Sequence, residues 1–239
     1  IKVKKESLPN GIPKCGSDAM RFALLNYVSE NKDINFDLNI PISFRNFCTK
    51  IWNSYKLVRM TLPEDYMPSY TEDQLLSYSQ ADLWILSELH KAIQKVNEAF
   101  EGYKFGTVTE LISSFWFKKF CDFYLEYSKT VDKNDAQALA RTHNVLFYVL
   151  ETFLRLLHPT MPFLSEELYQ KLPNFNGKTE SIMLANYPVH NPAFVQPQFA
   201  AFKNVNTIIK TVRQLSGVVK LPPKSNPTVH LLVREPDAE

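Results

Sequence analysis

Glycine is scarce in this chain, at 6 of 239 residues. So few argue against a sheet-rich fold with many tight turns, and against any glycine-lined cradle for a phosphate. Cysteine is scarcer still. Cys15, Cys48 and Cys121 are odd in number, widely spaced and without a CxxC partner. They read as reduced thiols of a cytoplasmic protein, not as a disulfide or zinc framework. No apolar run approaches the ~20 residues that span a bilayer, and no charged, apolar and small-residue leader opens the chain. The GxGxxG, GxxxxGK(S/T) and HExxH patterns are missing. The histidines stand at 90, 143, 158, 190 and 230 without ligand spacing, and no Ser, His and acid are grouped as a triad. On these grounds we nominate no catalytic residue, no metal ligand and no cofactor for this chain.

What is present is a globular composition, 45% hydrophobic, 13% aromatic and 22% charged. One or two domains of this size bury a core without disulfides or metal. The net charge is only +2, but the signs segregate. Four lysines against one glutamate give residues 1–14 a net +3. Arg45, Lys50, Lys56 and Arg59 against Asp37 give residues 36–60 a net +3. Residues 61–131 carry six cations and eleven acids, and residues 196–239 six cations and three acids. Separate basic segments fit a local anion-binding face better than a uniformly sticky surface.

Apolar spacing predicts a helix from Ser17 to about Ser29, with a cap offered by Gly16-Ser17-Asp18, and a second from about Leu38 to Met60. Further helices are expected from Ser79 to Gly102, from about Phe105 to Thr130, and from about Asn134 to Leu157, where Pro159 stops the helix. A short helix starts near Pro162. Residues 197–216 read as another helix and 227–235 (PTVHLLVRE) as a strand. Long amphipathic helices with polar connections make a mainly α fold, an antiparallel helical bundle. One closing helix and one strand bury no face, so the chain is expected to stop inside a small α/β unit. His90 and His143 read as satisfied core or boundary histidines. Glu166 and Glu167 read as first-turn acids meeting a helix dipole. Asp18 and Arg21, three residues apart, read as a cap and an internal ion pair.

The second helix carries most of the chemistry. Phe44, Phe47, Ile51, Tyr55 and Val58 form its apolar stripe. Asn46, Lys50, Asn53 and Leu57 form a second stripe at spacings of three and four, flanked by Arg45, Thr49 and Lys56. Cations contact phosphate and amides read base edges, and this stripe has no carboxylate. By spacing alone the signal is weak, and a solvated helix face with three cations is the more ordinary reading.

NGIPKCGSDAMRFALLNY, then DINFDL, then RNFCTKIWN, resemble the valyl-tRNA synthetase family of class I aminoacyl-tRNA synthetases. LLHPTMPFLSEELYQKL resembles a segment shared with the isoleucine and leucine enzymes. The likeness covers about residues 8–190, in order. It implies an enzyme that joins valine to its tRNA with ATP and Mg. The HIGH and KMSKS signatures of its catalytic domain are not in this sequence, so this chain by itself is expected to be inactive. It further implies a connector over 1–35, with Asp18 and Arg21 in the family's DAxR pattern. The anticodon-binding bundle would then cover 36–195, and the start of a small C-terminal α/β domain 196–239. Lys50 and Asn53, then Arg45, Asn46, Thr49 and Lys56, fall where the family contacts the anticodon stem-loop. Leu57 stands where the family usually has an aromatic that stacks on a base; Trp52 is a candidate substitute, but one position off the stripe it is expected to pack inside. The implied partners are the tRNA for valine and the chain's own catalytic domain, with no membrane, in a monomer. A helical scaffold for binding another protein is the competing class, motivated by the aromatic content and the acidic stretch 61–131.

Overall fold

The computed structural model describes residues 14–28, 37, 39–195, 201–220, 222 and 228–230. The chain divides into two compact units, Ile1–Gln196 and Pro197–Glu239.

The first unit is helical. Helix α1 spans Ser17–Tyr27, α2 Asn39–Thr61, the short α3 Glu72–Leu75, and α4 Gln80–Glu101. Helix α5, Phe105–Ser114, continues without a break into a π-helical stretch, Phe115–Tyr124, then a turn of α-helix, Leu125–Tyr127, and a 3-10 turn, Ser128–Thr130. Helix α6 spans Ala136–Leu157 and α7 Pro162–Gln170. In the second unit, α8 spans Ala201–Val218. No strand occurs among the described residues; most of the strand expected over 227–235 lies outside them.

Local chemistry sets most boundaries. Ser79 caps α4 in a capping box: its Oγ accepts the Asp82 N–H, and the Asp82 carboxylate accepts the Ser79 N–H. Asp135 caps α6 through the Ala138 N–H at 2.9 Å. Helix α6 ends at Leu157, two residues before Pro159, and Pro162 occupies the first position of α7.

Helices α4 and α6 are central. Residues 81–87 of α4 and 145–154 of α6 are buried on every side, which a single apolar stripe does not achieve. Helix α1 packs on α2 and α5, and α6 on α4 and α7. The expected helix over 105–130 is present, but ten of its residues are wound as π-helix. This winding turns Phe115, Trp116, Phe120, Cys121, Phe123 and Tyr124 inward together, more large side chains than one α-helical stripe would present. Trp116 stacks on Phe120 at 4.4 Å and on Phe153 of α6 at 3.8 Å, and its Nε1 donates to Ser54 Oγ of α2 at 3.1 Å. Burial pushes the Cys48 and Cys121 thiols up to about 11, so both stay protonated at neutral pH.

Three local expectations are corrected. Asp18 and Arg21 make no ion pair, and Asp18 does not cap its own helix. The buried Asp18 carboxylate accepts the N–H groups of Phe163 (3.3 Å) and Leu164 (2.6 Å), at the start of α7, while Arg21 Nη2 donates to Pro159 O (3.3 Å). The DAxR residues thus clamp α1 onto the α6–α7 corner. Glu166 lies beyond the first turn of α7 and does not serve its dipole. Its carboxylate accepts from Ser181 Oγ, the Ile182 N–H and Gln170 Nε2, tethering the following loop. The third correction concerns Trp52, described below.

His90 is a core histidine, as expected. Its Nδ1 accepts the Asn191 N–H at 3.1 Å, which leaves Nε2–H to donate to Tyr148 Oη at 3.0 Å. Phe194 stacks flat on the ring at 4.4 Å. This pins residues 190–194 to the bundle. Gly106 marks another close approach: a Cβ there would meet Asn26 O at 3.1 Å and Val28 O at 3.3 Å.

Two outcomes follow. Asp18→Ala should lower the urea midpoint by the equivalent of ~1–2 kcal/mol, since it strips α7 of its N-terminal acceptor; an unchanged midpoint would sink the clamp. Burial, with His190 adding a smaller push, holds the His90 pKa down to about 4 from 6.5. Between those values the unfolded chain binds a proton that the folded chain does not. Stability is therefore full above pH 6.5 and falls as pH drops toward 4, by up to roughly 3 kcal/mol. His90→Gln should flatten this loss in urea titrations at pH 7 and pH 5, and equal losses in both proteins would disprove the assignment.

Candidate nucleic-acid interface

Helix α2 turns its apolar stripe inward, with Phe47, Ile51, Tyr55 and Val58 buried. Phe22 of α1 meets Phe44 and Phe47 at 4.8 and 5.6 Å, and Phe117 meets Phe47 at 5.0 Å. These contacts fix the rotation of α2 and with it the outward face. On that face Arg45, Asn46, Thr49, Lys50, Asn53 and Lys56 are exposed, and Leu57 is half-buried.

The exposed residues differ in how free they are. Arg45 Nη1 donates to Lys14 O at 2.7 Å, so this guanidinium holds the segment before α1. Thr49 Oγ1 donates back to Arg45 O at 3.1 Å. Asn46 and Asn53 have no hydrogen-bond partner among the described residues, and their amides are available to a ligand. Lys50 Nζ lies 5.9 Å from the Phe117 ring centre, and Lys56 Nζ lies 5.8 Å from that of Trp52. Such contacts position an ammonium without neutralising it. Neither lysine forms an ion pair among the described residues. Trp52 was expected inside and is half-buried instead, because it sits at the edge of the stripe under Lys56.

The electrostatics point one way. Over Asn39–Thr61, α2 carries Arg45, Lys50, Lys56 and Arg59 and no carboxylate. Arg59 was not among the residues singled out from spacing. Its Nη1 is buried without a partner, as is the hydroxyl of Tyr55 one turn earlier. Burial pushes the Tyr55 hydroxyl up to about 12, against a smaller opposing pull from Arg59. The Arg59 charge therefore goes uncompensated within the described residues and adds to the positive potential of the helix.

The π-helical stretch supplies the other wall. Between α2 and the end of α5 with this stretch lies a groove of about 460 Å³, lined by Asn46, Phe47, Glu110, Ser113, Phe117 and Lys118 among others. Phe117 and Lys118 were not legible as site residues, since only the packing of two distant segments brings them beside Asn46 and Lys50. Exposed amides, unpaired ammonium groups and an aromatic wall can hold phosphates and unstacked bases together. No cluster of three metal-ligating side chains occurs among the described residues, and no described helix is long and apolar enough to cross a membrane.

Comparison with known proteins identifies the family. The family model for the anticodon-binding domain of tRNA ligase matches residues 82–231. That match starts inside α4, so α2 lies outside it. The valine–tRNA ligase of Takifugu rubripes is 41% identical over 195 residues, covering 78% of this chain and 16% of that protein. The Caenorhabditis elegans enzyme is 38% identical, covering all of this chain and 24% of that protein. The mitochondrial valine–tRNA ligase of Saccharomyces cerevisiae is 40% identical over 89% of this chain and 19% of its own length. The chain thus spans about a quarter or less of these relatives. Among solved structures, the ternary complex of Agrobacterium radiobacter K84 agnB2 LeuRS with tRNA and LeuAMS is similar in fold, with a TM-score of 0.56. It is 24% identical over 77% of this chain and 21% of its own. With the family model matched over well over half its length, the chain belongs to the anticodon-binding domains of tRNA ligases.

Proposed function

We propose that this chain is the anticodon-arm-binding part of a valine–tRNA ligase. The observation that carries the reading is the 35–41% identity to valine–tRNA ligases across most of the chain. In the whole enzyme, ATP and Mg would serve a catalytic domain that this sequence does not contain. The connector over 1–35 would join that domain to the bundle over 36–195, and residues 196–239 would begin the small α/β domain. We place the protein in the cytoplasm as a monomer, with the tRNA for valine as its partner.

The outward face of α2 is the surface we assign to the RNA. Lys50 and Lys56, reinforced by Arg59, meet phosphates; Asn46 and Asn53 read base edges. Arg45 and Thr49 hold the helix start and its neighbouring segment in place. Leu57 offers an apolar contact where an aromatic would stack, and Phe117 and Trp52 are the flat groups within reach. Catalysis by such a module is indirect. Binding energy gathered at the anticodon arm orients the distant acceptor end toward the active site.

The test is a binding titration of the chain against a valine-tRNA transcript and the same transcript with a changed anticodon, at two salt concentrations. Lys50→Ala should weaken binding and reduce the salt slope by about 1. Asn53→Ala should cost ~1–3 kcal/mol and relax discrimination between the transcripts. Parent-like affinity in both variants would remove the assignment of this face.

A further inference from the structure

Sulfur gathers at one corner of the first unit, where α1 and α7 begin against α2. The Cys48 thiol of α2 donates to the thioether of Met161 at 3.8 Å, immediately before α7. Cys15 stands just before α1, and its thiol donates only to the neighbouring Gly16 O at 3.6 Å. The segment that carries Cys15 is tied to α2 from the other side: Arg45, one turn before Cys48, donates to Lys14 O at 2.7 Å. The two thiols also feel each other. Burial first, then the charges of Asp18 and Cys15, hold the Cys48 pKa up, so the sulfurs lie within electrostatic reach. Both cysteines are half-buried, whereas Cys121 is buried in the π-helical stretch.

The corner has one rigid side and one that adjusts. Cys48 is fixed in the middle of α2, while residues 14–16 are irregular. A disulfide requires Cβ atoms about 4 Å apart, so both sulfurs must leave their present contacts. Those contacts are weak, because a thiol is a poor donor and a thioether a poor acceptor. The loop between Cys15 and Cys48 contains all of α1.

We propose that Cys15 and Cys48 form a modification site, which hydrogen peroxide converts into an intramolecular disulfide that staples the segment before α1 onto α2. This inference is independent of the RNA-binding reading. Cys15 reacts first, since it lies outside any helix and Cys48 stays protonated at neutral pH. Its sulfur takes one oxygen from the peroxide as the O–O bond breaks, giving a sulfenic acid and one water. The Cys48 sulfur then attacks the Cys15 sulfur. The S–S bond forms, and the hydroxyl leaves with the Cys48 proton as a second water. Two thiols are oxidised by two electrons and one peroxide is reduced to two waters. A thiol reductant reverses the bridge.

The full chain is treated with hydrogen peroxide at neutral pH, alkylated, digested without reduction and mapped by mass spectrometry. The peptides of Cys15 and Cys48 should appear linked and two hydrogens lighter than their sum, with Cys121 still a thiol. The thermal midpoint should rise by ~4 °C or more, because closing a loop around α1 constrains the unfolded chain. Dithiothreitol should remove that rise, which distinguishes it from methionine oxidation. In Cys48→Ser, Cys15 should stop at the sulfenic acid and be captured by dimedone. Cys15→Ser, altered outside any helix, should fold as the parent does and show no dithiothreitol-reversible rise. The proposal is overturned by peroxide-treated parent chain in which Cys48 remains a free thiol, by a linkage found only in covalent dimers, or by a reversible rise that persists in Cys15→Ser.

Discussion

The buried indole of Trp116 is where the rest of the arrangement is decided. Its ring stacks on Phe153 of α6 and Phe120 of its own segment, and its N–H is satisfied by Ser54 of α2. An indole N–H in a core needs a partner, and Ser54 is the one it has. Ser54 directly follows Asn53 and stands one turn after Lys50, so the same bond that satisfies the indole fixes the rotation of α2. With Ser54 turned in, Lys50, Asn53 and Leu57 are turned toward the outside. The π-helical winding belongs to this constraint, because it brings Trp116, Phe120 and Cys121 to one side while Phe117 remains free to meet Phe47 and Lys50.

Polar side chains in this protein do two different jobs. Asp18, Arg21, His90, Glu151 with Arg155, and Glu166 are spent on the fold. Each bonds to backbone or to a partner and ties one segment to another: Asp18 caps α7, Arg155 Nη1 reaches Asn186 O at 2.8 Å, and Asn97 Nδ2 reaches Pro188 O at 3.1 Å. Residues 171–195 have little regular structure and depend on these bonds for their position. On α2 the pattern reverses. Lys50, Asn53, Lys56 and Arg59 have no ion pair or hydrogen-bond partner among the described residues. Leaving donors without partners lowers stability slightly and keeps them available to a ligand. That contrast, more than the number of cations, separates the face we assign to the RNA from an ordinary solvated helix.

The sequence by itself determined where the long helices run and several of their ends, and it singled out α2 as the helix we assign to the RNA. Ser79, Asp135 and Pro162 act within a turn or two of themselves, so their effects follow from local spacing. The absence of a carboxylate across α2 is likewise a local fact, and so is the alternation that separates Phe47 and Ile51 from Lys50 and Asn53. Only the tertiary structure decided what those local units meet. Asp18 stands 146 residues from Leu164, and a carboxylate near a helix start looks the same whether it caps its own helix or another. Phe117 and Lys118 joined the site because two segments about 70 residues apart pack side by side. Trp52 stayed at the edge because Lys56 covers it there. The π-helical turns arose from fitting several large rings against α4 and α6. Short-range chemistry is written along the chain, whereas the partners of a side chain depend on how whole helices come together.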